Sequence, residues 1–378
     1  MHDLVMYVSG WNAEPYQRDH HFTSLFERQG IKTCVLTRGS KYQKYPFEHN
    51  DVCSELRYIG SFPLRSRLTK GLTRAFVAWQ EYKAFRQLVD NIPVIINCIP
   101  RVLPEKAKPL VFDCCDDFAA FGPKRNTEID RLQYKLAKKA DLIWTTSHKL
   151  YDYWHKQFPN KTYLIPNGAD VQHFASSVGF SPEPNRPLLA GRSAIVGYCG
   201  AIASWFDFRL VIEVAERLPG LQFVLVGPVY SKSRYVWPDN VTLLGPKAYA
   251  ELPLIMKQFD CCIIPFIVND LTKATNPIKL FEYFAAGKPV VSTALFEVQQ
   301  YQGVGVLETA NNVEDFAAAI EISINLSWSK DMVRKRLLIA QKNSWETRFE
   351  AAYKTLVPLL SSSSRVLKQL HNIDSVKI

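Results

Sequence analysis

The feature that most constrains the fold is a repeated alternation of short, continuous apolar runs with amphipathic helical stretches. Apolar runs of strand length are typical of parallel strands, which helices cover on both faces of the sheet. We therefore predict an α/β fold with doubly wound parallel sheets. The predicted strands are Leu4–Ser9, Lys32–Thr37, Val94–Cys98, Leu110–Cys115, Leu142–Thr146, Tyr163–Ile165, Ala194–Tyr198, Phe223–Val226, Thr242–Leu244, Cys261–Pro265 and Val290–Ser292.

These strands form two series, separated by Ser176–Arg192, which is rich in Ser, Pro and Gly and typical of an interdomain linker. A chain of 378 residues is also too long for one small core. We predict two Rossmann-like domains, residues 1–175 and residues 176–344.

One segment of the second series, Thr275–Thr293, predicts a helix followed by a buried strand. Asn276 is a good N-cap, and Pro277 suits the first helical position, where its missing N–H costs nothing. Gly287 is placed to end the helix, and Pro289 to prevent its resuming. The helix would begin at the carboxyl end of the preceding strand, where such sheets bind phosphorylated ligands.

The first turn of this helix has the chemistry of a nucleotide site. Backbone N–H groups over Pro277, Ile278 and Lys279, with the positive end of the helix dipole, favour a diphosphate. Lys279 and Glu282 share a helical face, so Lys279 can neutralise phosphate while Glu282 accepts hydrogen bonds from two ribose hydroxyls. The alternative is an ordinary surface ion pair worth about 0.3 to 0.5 kcal/mol.

Four segments, in this order, resemble GT-B glycosyltransferases, especially bacterial enzymes of teichuronic-acid and exopolysaccharide assembly. They are VFDCCDDFAAF, ADLIWTTSHKL, LIPNGADVQHF and TNPIKLFEYFAAGKPVVST. The resemblance covers nearly all of the chain. It implies the GT-B fold, with two Rossmann-like domains and an interdomain cleft, the acceptor held mainly by the first domain and the nucleotide sugar mainly by the second. It also implies that the final helices, within residues 345–378, pack back onto the first domain.

The resemblance implies a transferase that moves a sugar from a nucleoside-diphosphate sugar, with a UDP-sugar as the first expectation, to a glycan or lipid-linked acceptor. Cell-surface polysaccharide biosynthesis is the implied setting. The nucleotide sugar is a substrate, and no separate cofactor is expected. Two alternatives stay open: a sugar-nucleotide epimerase of the same fold, and a degenerate nucleotide- or glycan-binding protein. The sequence leaves the donor sugar, acceptor, linkage, stereochemistry and oligomeric state open.

The loop VGYCGAIASWFDF is the second expected wall of the diphosphate site, because Gly200 lets the backbone approach a phosphate. Here the chain departs from the best-known retaining GT-B enzymes. Ala201 and Asp207 occur where those enzymes carry an arginine and then a lysine, and Ala274 occurs in place of their first glutamate. Trp205 and Asp207 are candidate donor contacts, with a core tryptophan and a helix-capping aspartate as the alternatives.

Candidates for the base that deprotonates the acceptor follow the strand Leu110–Cys115. Asp116 and Asp117 would lie at the carboxyl edge of the first sheet, where a carboxylate can take the acceptor proton. Asp117 has helix capping as its alternative role, and Asp113, inside the strand, has a structural one.

Three further residues are candidate donor or acceptor contacts. Arg18 and His20 belong to WNAEPYQRDHHF, which resembles a Q-R-x-x-H segment of the same bacterial enzymes. His20 also competes with aspartate as the base, although exposed histidine pairs are more often not catalytic. Lys247, in GPKAY, belongs to a loop that the resemblance places near the nucleotide base.

Metal chemistry is not expected. The sequence has no D-x-D triad or H-E-x-x-H motif, and a helix dipole with a lysine can neutralise a diphosphate. The eight cysteines have no C-x-x-C spacing, and adjacent pairs such as Cys114 and Cys115 lie in apolar runs. They predict buried reduced thiols rather than disulfides or zinc ligands.

The net charge of +10 is concentrated between Arg57 and Lys108, a segment with ten basic residues and three acidic ones. Within residues 65–86, aromatic residues alternate with these cations at helical spacing. Such a helix can lie on an anionic membrane surface, or it can be a core-facing helix with a basic solvent face. Nucleic-acid binding is not expected, because no nucleic-acid module is recognisable.

No apolar run approaches the roughly 18 to 20 residues of a membrane span. Met1–Gly10 has no cationic start or long apolar stretch and resembles a first buried strand rather than a secretory signal. We therefore expect a cytoplasmic protein, peripheral on the inner face of the membrane if the basic helix binds lipid.

Overall fold

The structure is a computed structural model that describes residues 4–9, 17–37, 55–58, 70–86, 93–97, 103, 109–122, 124–175, 193–231 and 236–359. The predicted linker over 176–192 and the C-terminal residues 360–378 lie outside the described residues.

The chain divides into two compact units. Unit 1 is Met1–Pro166 with Arg348–Ile378, and unit 2 is Asn167–Thr347. The sequence pattern predicts the corresponding boundaries after residues 175 and 344.

Unit 1 is built on parallel strands joined by helices, as the apolar runs predict. Its strands are β1 (Leu4–Ser9), β2 (Lys32–Thr37), β3 (Glu55–Tyr58), β4 (Val94–Ile96), β5 (Leu110–Cys114), β6 (Leu142–Thr145) and β7 (Thr162–Leu164). Its helices before the boundary are α1 (Arg18–Arg28), α2 (Lys70–Arg86), α3 (Thr127–Lys139) and α4 (His148–Gln157). The described strands pair in parallel in the order β3-β2-β1-β4-β5-β6-β7, so the order reverses between β1 and β4.

Unit 2 repeats this design. Its strands are β8 (Ile195–Cys199), β9 (Gln222–Val226), β10 (Val241–Gly245), β11 (Cys261–Ile264), β12 (Val290–Ser292) and β13 (Leu307–Thr309). Its helices are α5 (Val171–Ala175), α6 (Phe208–Arg217), α7 (Leu252–Lys257), α8 (Ile278–Ala285), α9 (Phe296–Gln299), α10 (Val313–Asn325) and α11 (Lys330–Lys342). The strand order is β10-β9-β8-β11-β12-β13, all parallel, with its reversal between β8 and β11.

Local sequence signals explain several helix starts. Asn126 caps α3 by accepting hydrogen bonds from the N–H groups of Glu128 and Ile129. Ser147 caps α4 and Asn312 caps α10 in the same way. Each cap satisfies N–H groups that have no partner within the helix, so these boundaries are encoded locally.

The described cysteines are all free thiols: Cys34, Cys114, Cys115, Cys199, Cys261 and Cys262. All of them except Cys115 are buried. The expectation of reduced cysteines is confirmed for these six. Within the described part of the chain, no helix combines the length and the apolar composition that crossing a membrane requires.

A final helix, α12 (Trp345–Leu356), contributes to the core of unit 1 from Arg348 onward. The Phe349 ring packs edge-on against Phe22 and Phe26, with centroids 5.8 and 4.8 Å away. The indole N–H of Trp144 donates to Thr355 Oγ1 at 2.9 Å. Phe349 is 4% exposed, so this distant part of the sequence completes the aromatic core around α1.

We expect Phe349→Ala to reduce the free energy of unfolding of unit 1 by about 3 to 5 kcal/mol, because it removes a buried ring and leaves a cavity. Urea denaturation followed by tryptophan fluorescence measures the loss. The matched control is Phe296→Ala, whose side chain is 59% exposed; an equal effect of both substitutions would contradict the assigned packing.

Candidate functional site

Helix α8 begins one residue later than the sequence predicts. Pro277 occupies the N-cap position with φ −72° and ψ 115°, and no side chain caps the helix. The predicted N-cap Asn276 is instead held by tertiary contacts: its Oδ1 accepts from the N–H of Asn167 and its Nδ2 donates to Glu297. Because proline has no N–H, Ile278 and Lys279 supply the first unpaired N–H groups of α8.

The predicted end of α8 is confirmed. Gly287 adopts φ +70°, and its N–H and that of Lys288 donate to the carbonyls of Phe284 and Tyr283. This is a Schellman C-cap, for which glycine is preferred. The helix is therefore a short, well-delimited element that follows the loop leaving β11.

The start of α8 and the loop after β8 meet at the reversal point of the second sheet, where open α/β sheets bind ligands. Gly200 has φ +148°, and a Cβ at this position would lie 2.8 Å from Lys279 Cε. Gly200 and Lys279, both predicted donor-site residues, are thus in direct contact.

Lys279 and Glu282 lie together on one face of α8, and their charges are perturbed. Burial lowers the pKa of Lys279 to about 8, opposed by the neighbouring Glu282 and Cys199. Burial raises the pKa of Glu282 to about 7, opposed by Lys279 and reinforced by Asp170. Among the described residues, neither side chain has a hydrogen-bond or ion-pair partner. The interpretation of an ordinary surface ion pair is therefore wrong.

The remaining candidates in unit 2 differ in the contacts that the structure describes for them. Asp207 caps α6 by accepting from the N–H of Leu210 at 3.0 Å, which is its structural alternative. Trp205 is partly buried against the core, and its carbonyl accepts from the N–H of Ile267. Lys247 lies in the loop after β10, and no described contact joins it to Lys279.

In unit 1, Arg18 and Asp113 form a buried ion pair. Arg18 Nε lies 3.0 Å from both carboxylate oxygens, and Arg18 Nη1 donates to the carbonyl of Pro166. The pair is 2% and 0% exposed, which supports a structural role for Asp113. His20 is 1% exposed, with Nδ1 3.1 Å from the N–H of Gln17. The alternative interpretation of His20 and His21 as an exposed histidine pair is wrong, because both side chains are buried.

Asp116 and Asp117 lie just beyond β5, at the carboxyl edge of the first sheet, as predicted. Asp117 is paired with Arg125 Nη1 at 2.8 Å, a partner that the sequence did not identify. Asp116 has no hydrogen-bond or ion-pair partner for its carboxylate among the described residues. Burial raises the pKa of Asp116 to about 7, and the charge of Asp117 adds to the shift. Within the described part of the chain, Asp116 therefore has an unpaired carboxylate with a raised pKa, whereas the carboxylate of Asp117 is held in an ion pair.

No cluster of three or more His, Cys, Asp or Glu suited to a metal ion occurs among the residues that the structure describes.

Residues 193–325 match the family "Glycosyl transferases group 1". This match lies within unit 2. The matched region includes the β8 loop, Lys279 and Glu282, so the family match and the site geometry fall on the same residues.

The chain is also 29% identical, over 268 residues, to TuaH of Bacillus subtilis (strain 168), which is provisionally named a teichuronic acid biosynthesis glycosyltransferase. The match covers 65% of this chain and 66% of that relative's length.

Two solved structures share the fold. Sucrose-phosphate synthase from Thermosynechococcus elongatus superposes with a TM-score of 0.71 at 15% identity, covering 96% of this chain and all of that one. Anabaena HepE in complex with UDP-glucose gives a TM-score of 0.70 at 17% identity, covering 95% of this chain and all of that one. The predicted GT-B fold class is confirmed.

Asp116→Asn should stabilise the protein increasingly as the pH rises from 5 to 7. A carboxyl whose pKa is about 7 in the folded state and 3.8 when unfolded binds protons more tightly when folded, so the wild type loses stability over this range. We expect the advantage of the variant to grow by about 2 to 3 kcal/mol and then level off.

Urea unfolding at pH 5, 6, 7 and 8 measures this difference. Asp117→Asn, which removes the ion pair to Arg125, is the control and should show a much smaller rising gain, because the Asp117 charge contributes less than burial to the raised pKa of Asp116. A constant difference between Asp116→Asn and wild type across the pH range would contradict an unpaired Asp116 carboxyl with a raised pKa.

Proposed function

We propose that this protein is a glycosyltransferase that moves a sugar from a nucleoside-diphosphate sugar to a glycan or lipid-linked acceptor in cell-surface polysaccharide biosynthesis. The observation that carries the proposal is the pair Lys279 and Glu282 at the strand-order reversal of unit 2, in the region that matches the group 1 glycosyl transferases, both without a hydrogen-bond or ion-pair partner among the described residues. Buried ionisable groups with shifted pKa values are typical of functional sites.

The donor is bound through its diphosphate and ribose. Lys279 neutralises the leaving diphosphate, assisted by the N–H groups of Ile278 and Lys279, by the α8 dipole and by the close approach of Gly200. Glu282 accepts hydrogen bonds from the ribose hydroxyls. The complexes of HepE with UDP and UDP-glucose support a UDP-sugar as the first donor to test.

Asp116 is the base in this proposal, and Asp117 positions the loop through Arg125. A base with a pKa near 7 is half-ionised at working pH and takes the proton of an attacking hydroxyl efficiently. Asp117 is already neutralised by its ion pair. Leaving-group stabilisation by Lys279 and the α8 dipole needs no metal ion, so we propose metal-independent transfer.

We further propose that α2 docks the protein on the inner face of the cytoplasmic membrane. Phe76, Trp79 and Tyr82 are 37%, 56% and 46% exposed and lie on one side of α2, while Glu81 is fully buried. Phe76 and Trp79 stack with centroids 6.1 Å apart, and Lys83 Nζ lies 5.6 Å from the Trp79 ring. A solvent-facing aromatic stripe with adjacent cations suits the headgroup region of anionic lipid and supports a lipid-linked acceptor.

Lys279→Ala should weaken UDP binding about 10- to 100-fold, because it removes a charge-assisted contact to the diphosphate. Glu282→Gln should weaken UDP binding about tenfold and leave inorganic pyrophosphate unaffected, because it acts on the ribose. Calorimetry measures both ligands. Lys273→Ala, an exposed lysine of the same segment, is the matched control and should bind like wild type.

The same titrations repeated between pH 6 and 9 test the charge states. UDP affinity should fall below pH 7, where Glu282 becomes protonated, and above pH 8, where Lys279 loses its proton. Binding that does not change over this range, or unchanged UDP affinity in both variants, would rule out the proposed roles.

Asp116→Asn should reduce turnover at least about 100-fold with donor affinity unchanged, because the acceptor proton loses its base. Asp117→Asn should reduce turnover less. Release of UDP from a UDP-sugar with an acceptor panel, in buffer with EDTA, measures the rate.

Three outcomes would contradict parts of this assignment. Near-normal turnover in both aspartate variants would exclude an aspartate base. Strict dependence on manganese would contradict the metal-free mechanism. Isomerisation of the donor in the absence of an acceptor would indicate an epimerase instead.

The double substitution Phe76→Ala with Trp79→Ala should lower partitioning onto phosphatidylglycerol-containing vesicles about tenfold, because it removes exposed rings that enter the headgroup layer. Vesicle sedimentation measures the partitioning. Tyr230→Ala, which removes a more exposed aromatic side chain in unit 2, is the control. Equal partitioning onto neutral and anionic vesicles, or no effect of the double substitution, would contradict the proposal.

A further inference from the structure

The ammonium group of Lys279 lies between two aromatic rings. Its Nζ is 4.7 Å from the centroid of Phe266 and 5.4 Å from that of Tyr198. Both distances fall within the roughly 6 Å range of a cation–π contact. The rings are buried, at 3% and 0% exposure, so they also exclude water from this side of the lysine.

The Tyr198 ring is fixed from two sides. Its hydroxyl donates to the carbonyl of Ala201 at 2.8 Å, within the loop that follows β8. Its ring meets Phe206 edge-on, with centroids 5.0 Å apart. A buried tyrosine held at both ends has little rotational freedom, so the face that it presents to Lys279 is predetermined.

The Phe266 backbone is held just beyond the end of β11. Thr293 Oγ1 donates to its carbonyl at 2.7 Å. The residues on either side of Phe266 hydrogen-bond to the β8 loop. The N–H of Ile267 donates to the carbonyl of Trp205, and the N–H of Asp207 donates to the carbonyl of Pro265, both at 2.8 Å. In the GT-B enzymes that the sequence resembles, this loop carries an arginine and a lysine. In this chain the loop hydrogen-bonds to the backbone on both sides of Phe266 and so fixes the position of that ring.

No carboxylate in the described part of the chain forms an ion pair with Lys279. An ion-pair partner would compete with a diphosphate for the same N–H donors, whereas an aromatic face attracts the cation and leaves those donors available. The charged or ionisable neighbours are Glu282 on α8 and Cys199 and Tyr198 on β8. Burial raises the pKa values of Cys199 and Tyr198, so both stay neutral.

We propose that Tyr198 and Phe266 are positioning residues that form an aromatic socket for Lys279, holding its ammonium group at the diphosphate site in place of a carboxylate partner. This inference rests on the proposed function of unit 2 as the donor-binding unit. In the socket, Gly200 is the third wall, since any side chain there would displace the lysine.

The socket makes donor binding sensitive to alkaline pH. The protonated form of Lys279 binds a diphosphate, so affinity falls as pH rises through its pKa of about 8. Replacing a ring by leucine keeps the surroundings of the ammonium group apolar but removes the cation–π attraction that favours its protonated form, so it shifts this pKa downward. A purely structural role of the ring would lower stability without moving this inflection.

The test is calorimetric titration with UDP from pH 6.5 to 9.5. We expect Phe266→Leu and Tyr198→Leu to weaken binding about three- to tenfold at pH 7 and to shift the alkaline inflection below the wild-type value of about 8. Tyr198→Phe, which keeps the ring, should retain the wild-type inflection. Phe223→Leu, a buried phenylalanine of the same unit, controls for loss of packing and should leave both quantities unchanged.

The outcomes separate the two proposals. If wild type binds UDP and both leucine variants keep its affinity and inflection, or Phe223→Leu changes them equally, the socket is overturned and donor binding stands. If wild type binds neither UDP nor GDP, the proposed function falls and the role of the socket in donor binding falls with it.

Discussion

Parallel pairing of strands whose two faces are both buried is the constraint on which the rest of this structure depends. It forces each connection to return to the opposite edge of the sheet, so that every loop after a strand emerges at one edge. In unit 2 the strand order reverses between β8 and β11, and the loops that follow these two strands meet there. The positions of Gly200 and Lys279 follow from this topology rather than from any local preference.

Desolvation gives the candidate residues their chemical character. Lys279, Glu282 and Asp116 all have pKa values between about 7 and 8 because burial penalises their charged forms. The buried pair of Arg18 and Asp113 shows the contrasting solution, in which each charge is compensated within the fold. A protein gains nothing in stability from uncompensated buried charge, so its presence at one sheet edge in each unit is informative about function.

The sequence patterns predicted the strands that are mostly apolar. They missed the short edge strands β3 and β13, because these strands mix polar and apolar residues without a regular alternation. Gly287 was predictable because a C-cap is a local requirement. The N-cap assignment of Asn276 failed because contacts with residues distant in sequence hold its side chain. The rings around Lys279 and the pairing of Asp117 with Arg125 depend on three-dimensional arrangement, which no spacing rule records.

Unit 1 is discontinuous in sequence, and this has a consequence for biosynthesis. Asn167–Thr347 is an uninterrupted stretch that contains all of unit 2, whereas the rings of Phe22 and Phe26 receive Phe349 only after unit 2 has been translated. Domains generally fold as units while the chain emerges. Unit 2 is therefore able to fold first, and unit 1 stays incomplete on the ribosome until α12 emerges.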